Sequence, residues 1–281
     1  MPTERILITV KTYPAISLKY GELVCTAGLR EDGSWIRIYP IPFRRLEYGD
    51  QYKKYQWITA PIERNTSDFR PESYKVLKIE QLQLHEVIDT ANNWELRKRY
   101  CLKNVRTSIT RLIEEAKDPA LHTSLATYKP RELIDFVVEP IDPTRRIEKI
   151  KQGELKKQQG NLFARLDSEA RLDDPEWYRP AQVIPYRFSY RFVDEEGAER
   201  KLMIEDWEVY ELYRNCLKRE PDEQAALAKV RQKYWNEFKE KDLYFFLGTT
   251  LEFHRRKARN PFIIIGIFYP KKETPPAPTL F

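Results

Sequence analysis

The sequence predicts an α+β protein in which an N-terminal β-barrel carrying a helical insertion is followed by a C-terminal α+β lobe. Short strand-like runs rich in β-branched residues fill residues 5–88, and two helix patterns follow at about 92–118. Residues 181–270 then alternate between strand and helix patterns. With 281 residues, of which 41% are hydrophobic, the chain is long enough to bury a substantial core.

Composition divides the chain into four parts. We expect the barrel and its insertion in residues 1–143 and the α+β lobe in residues 181–270. Residues 144–180 are interpreted as a basic linker or helix, because the first part of this segment contains many more basic than acidic residues. Residues 271–281 are rich in proline, which is typical of a flexible tail.

Hydrophobic alternation and one turn signal define the strands of the barrel. Residues 5–10 (RILITV) and 22–31 are two strands, and Asp32-Gly33 is a hairpin turn that leads into a third strand at 35–40 (WIRIYP). Further strands are predicted at 55–64 and within 73–88. Their expected core residues are Val76, Ile79, Leu82 and Leu84.

Helix signals follow the barrel strands. Asparagines at 92 and 93 are candidate caps of a first helix, and Thr107 and Ser108 are candidate caps of a second. The second helix has apolar residues at i, i+3, i+4 and i+7, namely Ile109, Leu112, Ile113 and Ala116. A strand is expected at 132–141, ended by Pro140 and Pro143.

The C-terminal lobe is predicted to begin with a hairpin over 183–204 that turns at Glu195-Glu196-Gly197. Two helices are expected next, the first capped by Asp206 and the second starting near Pro221. Strands at 242–254 and 261–270 complete the lobe.

Several functional classes find little support in the sequence. No apolar run is long enough for a membrane helix, and residues 1–10 do not resemble a secretory signal. We therefore expect a cytoplasmic protein without a membrane partner, and three widely spaced cysteines agree with reduced thiols. The three histidines and three cysteines show no zinc-ligand spacing, and no phosphate-binding glycine motif is present.

Carboxylates are the candidate catalytic residues. Asp206 and Glu208 lie at a predicted strand-to-helix junction, while Asp135 and Glu139 share one face of a predicted strand. Convergent carboxylates can hold Mg²⁺, as a nuclease requires, so this cofactor is expected only if the protein is such an enzyme. The competing interpretation is structural, with Asp206 as a helix cap and Glu208 as a partner of the helix dipole.

Basic and aromatic residues favour nucleic-acid binding, because aromatic faces stack on bases and cations contact phosphates. The net charge of +6 agrees with an anionic partner. Trp35, Arg37 and Tyr39 share one strand face, although packing in the core is the competing interpretation for its aromatic residues. The remaining candidates are Phe43, Arg44, Arg45, Arg187, Arg191, His254, Arg255, Arg256, Lys257 and Arg259.

One segment resembles a known family. Residues 22–40 (ELVCTAGLREDGSWIRIYP) are similar to the opening of the dual-OB-type domains of prokaryotic conflict systems, through Cys25, Ala27, Gly28 and residues 35–37 (WIR). The residues after this segment depart from the family pattern. The resemblance implies an OB-like barrel, sensing of nucleic acid or nucleotides, and a setting in anti-phage defence. The predicted fold class is accordingly an OB-like or PUA-like barrel. The resemblance implies no catalytic residues.

Three functional hypotheses follow. The first is a nucleic-acid-binding sensor or accessory protein of a bacterial defence or DNA-processing system, with DNA or RNA as its partner. The second is a metal-dependent nuclease or base-processing enzyme that uses the carboxylates named above. The third is a protein-interaction subunit that docks through its C-terminal segment Pro275–Phe281, which ends in Leu280-Phe281.

Overall fold

The computed structural model describes residues 3–17, 21–41, 43, 46, 49, 51–144, 148 and 183–273. Arg44 and Arg45, nearly all of the predicted linker at 144–180, and the docking segment Pro275–Phe281 lie outside these residues.

The N-terminal part is built from strands, as the alternation of its apolar residues predicts. Their bounds are β1 (Thr3–Lys11), β2 (Ala15–Ser17), β3 (Gly21–Leu29), β4 (Trp35–Ile41), β5 (Gln56–Arg64), β6 (Ser73–Val76) and β7 (Gln83–Val87). A short 3-10 helix, Ile79–Gln81, lies between β6 and β7. The predicted turn at Asp32-Gly33 joins antiparallel β3 and β4, and Gly33 adopts a φ of 83° there.

Five of these strands close into a barrel. They pair in the order β1–β3–β4–β6–β5, and β5 returns to pair with β1. β4 and β6 run parallel, whereas the other four pairings are antiparallel. β2 adds to β3 and β7 adds to β5. The predicted N-terminal barrel is therefore confirmed.

Side chains of β1 point alternately into the barrel and away from it, which shows how the barrel is filled and what covers it. Ile6 and Ile8 belong to the cluster inside the barrel, whereas Leu7 between them packs outward. The cluster around Leu7 also contains residues from the C-terminal part of the chain, such as Phe246 and Phe268. The barrel and the C-terminal region consequently share a hydrophobic core.

The remaining elements form an α+β region. The helices are α1 (Ala91–Cys101), α2 (Ile109–Lys117), α3 (Trp207–Leu217), α4 (Glu223–Arg231) and α5 (Leu251–Arg255). The strands are β8 (Val105–Arg106), β9 (Leu125–Tyr128), β10 (Glu132–Pro140), β11 (Tyr186–Val193), β12 (Glu199–Met203), β13 (Tyr244–Thr249) and β14 (Phe262–Phe268). A π-helical turn, Gln232–Glu237, and a 3-10 helix, Phe238–Glu240, extend α4.

Two sheets organise this region. One has the order β14–β13–β9–β8 and the other β10–β11–β12, and a parallel bridge between Ile204 and Ile264 joins them. The helices α1 and α2 follow the last barrel strand. β9 pairs with β13 and β10 pairs with β11, whereas β8 pairs with β9. The pairing of β10 with β11 spans the boundary expected at residue 143, and a local sequence pattern carries no information about such long-range partners.

Two local elements differ from expectation. The strand expected over 242–254 ends at Thr249, because the Thr250 hydroxyl accepts a hydrogen bond from the Phe253 amide and starts α5. The expected asparagine cap of α1 is instead a left-handed turn that includes Trp94 at φ 65°. The Trp94 ring packs on Phe268 at 5.2 Å, which compensates for this strained backbone.

Aromatic side chains fill the core of the C-terminal region. Its fully buried members include Tyr128, Phe136, Phe188, Tyr190, Phe192, Tyr213 and Phe245. Among the described residues, no helix is long and apolar enough to cross a membrane.

The barrel interior leaves no room for a side chain at Gly28. A Cβ atom there would lie 2.3 Å from the Leu7 carbonyl oxygen and 2.8 Å from Ile6 Cγ2. Because this overlap forces β1 and β3 apart, we expect Gly28→Ala to lower the free energy of unfolding by about 3 kcal/mol. Urea unfolding measures the loss.

The matched control is Gly49→Ala. Gly49 is exposed, and a Cβ atom added there would have no atom within 4 Å apart from those of Gly49 and its two chain neighbours, so we expect a change within about 0.5 kcal/mol. Equal unfolding midpoints for the two variants would contradict the close approach of β1 and β3.

Candidate nucleic-acid interface

The outer face of β4 is covered by the C-terminal region. Trp35 is half-buried, and its ring meets Phe246 edge-on at 5.3 Å. Arg37 is only 2% exposed and Tyr39 is half-buried. The expectation that Arg37 contacts phosphates on this face is wrong, because its guanidinium is buried in the fold against Ser73 and Ser124.

Arg37 is held by two serine relays. Its guanidinium donates to Ser124 Oγ at 2.8 Å, and that hydroxyl donates to Glu72 Oε2 at 2.8 Å. It also donates to Ser73 Oγ at 3.2 Å, which in turn donates to Asp68 Oδ2 at 2.7 Å. The buried charge is thereby connected to two carboxylates, which a buried arginine requires.

Phe43 also proves to be a core residue. It is 4% exposed, and its ring packs on Tyr52 at 4.7 Å and on Trp207 at 5.7 Å. The expectation that Phe43 stacks on bases is therefore wrong. Arg44 and Arg45, which follow it, lie outside the described residues.

The loop between β5 and β6, residues 65–72, has an inward and an outward side. Asp68 and Arg70 are 3% and 5% exposed and form an ion pair, whereas Phe69 between them is 38% exposed. Burial alone would raise the pKa of Asp68, but the hydrogen bonds and charge of Arg70 outweigh it and lower this pKa to about 2. The buried ion pair of Asp68 and Arg70 thus anchors the loop on its inner side, and Phe69 lies on its outer side.

Arg70 links this loop to α5. Its guanidinium donates to the Thr249 carbonyl oxygen at 2.6 Å, and the Thr249 hydroxyl lies 2.9 Å from His254 Nδ1. His254 is 4% exposed, and burial lowers its pKa. The expectation that His254 contacts phosphates is wrong, since its ring forms part of the support beneath the loop.

The basic residues after His254 are exposed, in agreement with the sequence pattern. We call Arg255, Arg256, Lys257 and Arg259 the basic turn. Arg255 donates to the Ser67 carbonyl oxygen at 3.1 Å, which places the basic turn directly against loop 65–72. Arg256 pairs with Glu252 at 2.9 Å, but both side chains are largely exposed, so this pair contributes little to stability.

Two exposed aromatic residues beside the basic turn escaped the sequence analysis. Phe69 is 38% exposed and Phe253 is 40% exposed. The available signal was their setting: Phe69 lies between Asp68 and Arg70 in a polar loop, and Phe253 directly precedes the basic run. A pattern cannot show that these rings remain in solvent, because that depends on what packs around them.

Arg187 and Arg191 lie on a different surface, the exposed face of the three-stranded sheet. In the strand register Arg187 is opposite Glu139, and Arg191 is opposite Asp135. Arg191 pairs with Glu199, Glu139 with Lys201 at 2.6 Å, and Asp135 with Arg231 at 2.8 Å. Basic and acidic groups alternate on this face, so it carries no concentrated positive charge.

Asp206 and Glu208 converge on one lysine. Lys54 Nζ lies 3.2 Å from Asp206 Oδ2 and 2.8 Å from Glu208 Oε2. Burial raises the pKa of Asp206, whereas the Lys54 ammonium lowers the pKa of Glu208, whose side chain is 48% exposed. Asp206 also accepts a hydrogen bond from the Glu208 amide as the cap of α3. These contacts agree with the structural interpretation of both carboxylates.

Within the described parts of the chain, no group of three or more His, Cys, Asp or Glu side chains is arranged to hold a metal ion. The two candidate carboxylate pairs do not converge on one site. Asp135 pairs with Arg231 and Glu139 with Lys201, whereas Asp206 and Glu208 both pair with Lys54.

Two family models match the chain. Residues 2–103 match the family described as Domain of unknown function (DUF8758). Residues 105–281, well over half of the chain, match Domain of unknown function (DUF8757). The chain belongs to the DUF8757 family. A search of the curated proteins found no match.

The candidate interface draws on both matched segments. Loop 65–72 belongs to the DUF8758 segment, whereas α5 and the basic turn belong to the DUF8757 segment. The bond from Arg70 to Thr249 and the bond from Arg255 to Ser67 cross between the segments. The surface therefore exists only where both segments are folded together.

The Asp68 carboxylate should matter for stability in a pH-dependent way. Asp68→Asn leaves the Arg70 charge buried without its counter-ion, so we expect a loss of about 3 kcal/mol at pH 7. Because the folded pKa is depressed to about 2, this stabilisation is fully present above about pH 4 and disappears as the pH falls toward 2. Urea unfolding at several pH values measures both effects.

The control is Glu63→Gln, which removes an exposed carboxylate that pairs with Lys75 at 2.8 Å. We expect a change of less than about 1 kcal/mol at every pH. If the wild type and Asp68→Asn lost stability in parallel between pH 4 and pH 2, the buried ion pair would not have the role assigned to it.

Proposed function

We propose that this protein binds nucleic acid through the basic turn and loop 65–72. The observation that carries the proposal is that all four cations of the basic turn are exposed beside loop 65–72, which the hydrogen bond from Arg70 to Thr249 holds in place. Phosphate contacts by Arg and Lys supply most of the affinity of such surfaces. A pre-ordered surface also loses less conformational entropy when its ligand binds.

We further propose that the barrel is of the OB type. Its closed order of five strands with a single parallel pairing supports this assignment. OB barrels bind oligonucleotides on the face of their second and third strands and on the loop between their fourth and fifth strands. The corresponding elements here are β3 and β4, whose outer face is covered, and loop 65–72, which is accessible.

The similarity of residues 22–40 to the dual-OB-type domains supports a role as a sensor or accessory subunit in a prokaryotic defence system. Binding without catalysis agrees with the ion pairing of Asp135, Glu139, Asp206 and Glu208 to neighbouring cations.

Neutralising the basic turn tests the proposal. The triple variant Arg256→Gln, Lys257→Gln, Arg259→Gln leaves the bond from Arg255 to Ser67 in place. We expect about tenfold or greater weakening of binding to a labelled oligonucleotide at about 50 mM salt. The slope of log affinity against log salt should also fall by about 0.7 for each lost contact to a single strand. Fluorescence anisotropy measures both quantities.

The charge-matched control changes Lys218, Arg219 and Lys229 to Gln. All three are exposed, two of them just after α3 and the third on α4, so the net charge falls equally while the basic turn is untouched. We expect nearly unchanged affinity and salt slope. Undetectable binding of the wild-type protein to every oligonucleotide, or equal losses in both triple variants, would refute the proposed function.

A further inference from the structure

We infer that the ligand of the candidate interface is single-stranded, with unpaired bases stacked on Phe69 and Phe253; this inference rests on the proposed function. Five large hydrophobic side chains of the described residues are exposed: Phe69, Val87, Leu96, Leu121 and Phe253. The two aromatic members of this group both lie beside the basic turn. Aromatic rings next to cations are the pattern of single-strand binding surfaces.

The Phe69 ring is held in place rather than free to collapse onto the surface. It meets the rings of His122 and His254 edge-on at centroid distances of 4.8 and 5.1 Å. Those two rings are themselves 5.8 Å apart, so Phe69 is supported on one side and open on the other. A ring fixed in this way loses little rotational freedom when a base stacks on it.

Phe253 is presented by the first turn of α5. Its amide donates to the Thr250 hydroxyl at 3.2 Å, and its carbonyl oxygen accepts from the Ala258 amide at 3.0 Å. The backbone on both sides of Phe253 is therefore fixed, while the ring remains 40% exposed. Since Phe253 precedes Arg255 and Arg256 by two and three residues, a base on its ring would bring the adjoining phosphates near these cations.

A duplex cannot use these rings in the same way. Its base faces are hidden in the stack, and it offers only phosphates and groove edges to a protein surface. The cations of the basic turn serve either ligand, whereas Phe69 and Phe253 gain contact area only from unpaired bases. The aromatic rings therefore favour single strands over duplexes of the same sequence.

The experiment compares Phe69→Ala, Phe253→Ala and the double variant with the wild type. Each is titrated into a labelled single strand of about 12 nucleotides and into a duplex of about 24 base pairs at about 50 mM salt. We expect each single variant to bind the single strand about five- to hundredfold more weakly, with duplex binding unchanged. Phe69→Trp, which keeps an aromatic face, should retain the wild-type affinity.

Leu96→Ala is the matched control, because Leu96 is a 52% exposed apolar residue on α1. It should bind both probes like the wild type. The inference is overturned if the wild type binds the duplex as tightly as the single strand, or if both alanine variants keep their single-strand affinity. In those cases the triple variant of the basic turn still tests the proposed function. The proposed function itself fails if the wild-type protein binds neither probe.

Discussion

Arg37 and Arg70 bring two positive charges into the contact between the barrel and the C-terminal sheet, where each is buried and needs polar partners within the fold. Asp68, Glu72 and Ser73 come from one short stretch next to Phe69, whereas Ser124 directly precedes β9 and Thr249 ends β13. A buried charge without partners costs several kcal/mol, so this network tolerates few alternative arrangements. The network fixes the position of the barrel against the C-terminal region, and it also fixes the conformation of loop 65–72.

The same contact determines which surface is accessible. The outer face of β4 carries Trp35, Arg37 and Tyr39, the residues that first suggested a ligand-binding strand. Ser124 and Phe246 of the C-terminal region take up that face, so its aromatic and basic groups serve the protein's own packing. Loop 65–72 emerges at the margin of the contact, beside α5 and the basic turn. The packing that covers the outer face of β4 thus also brings loop 65–72 next to the basic turn, where the proposed site lies.

Whether a charged candidate residue forms an ion pair within the fold distinguishes structural from functional candidates. Asp135, Glu139, Arg191, Asp206 and Glu208 all take part in ion pairs within the fold. On these surfaces opposite charges cancel, which leaves little attraction for a polyanion. In the basic turn four cations are exposed and Glu252 is the acid paired with them, so the local charge stays positive. Two exposed phenylalanines on supported backbone complete the surface that we propose binds nucleic acid.

Local pattern alone determined much of this protein. Alternating β-branched residues predicted the barrel strands, Asp32-Gly33 predicted the hairpin, and Ser108 and Asp206 were recognised as helix caps, because each of these features depends on near neighbours. The exposed basic turn was also visible in sequence. Tertiary structure decided that Arg37, Phe43 and His254 are buried, that β9 pairs with β13 and β10 with β11, and that Phe69 and Phe253 stay exposed. Each of these outcomes depends on which distant segment packs against a given face, and periodicity carries no information about that choice.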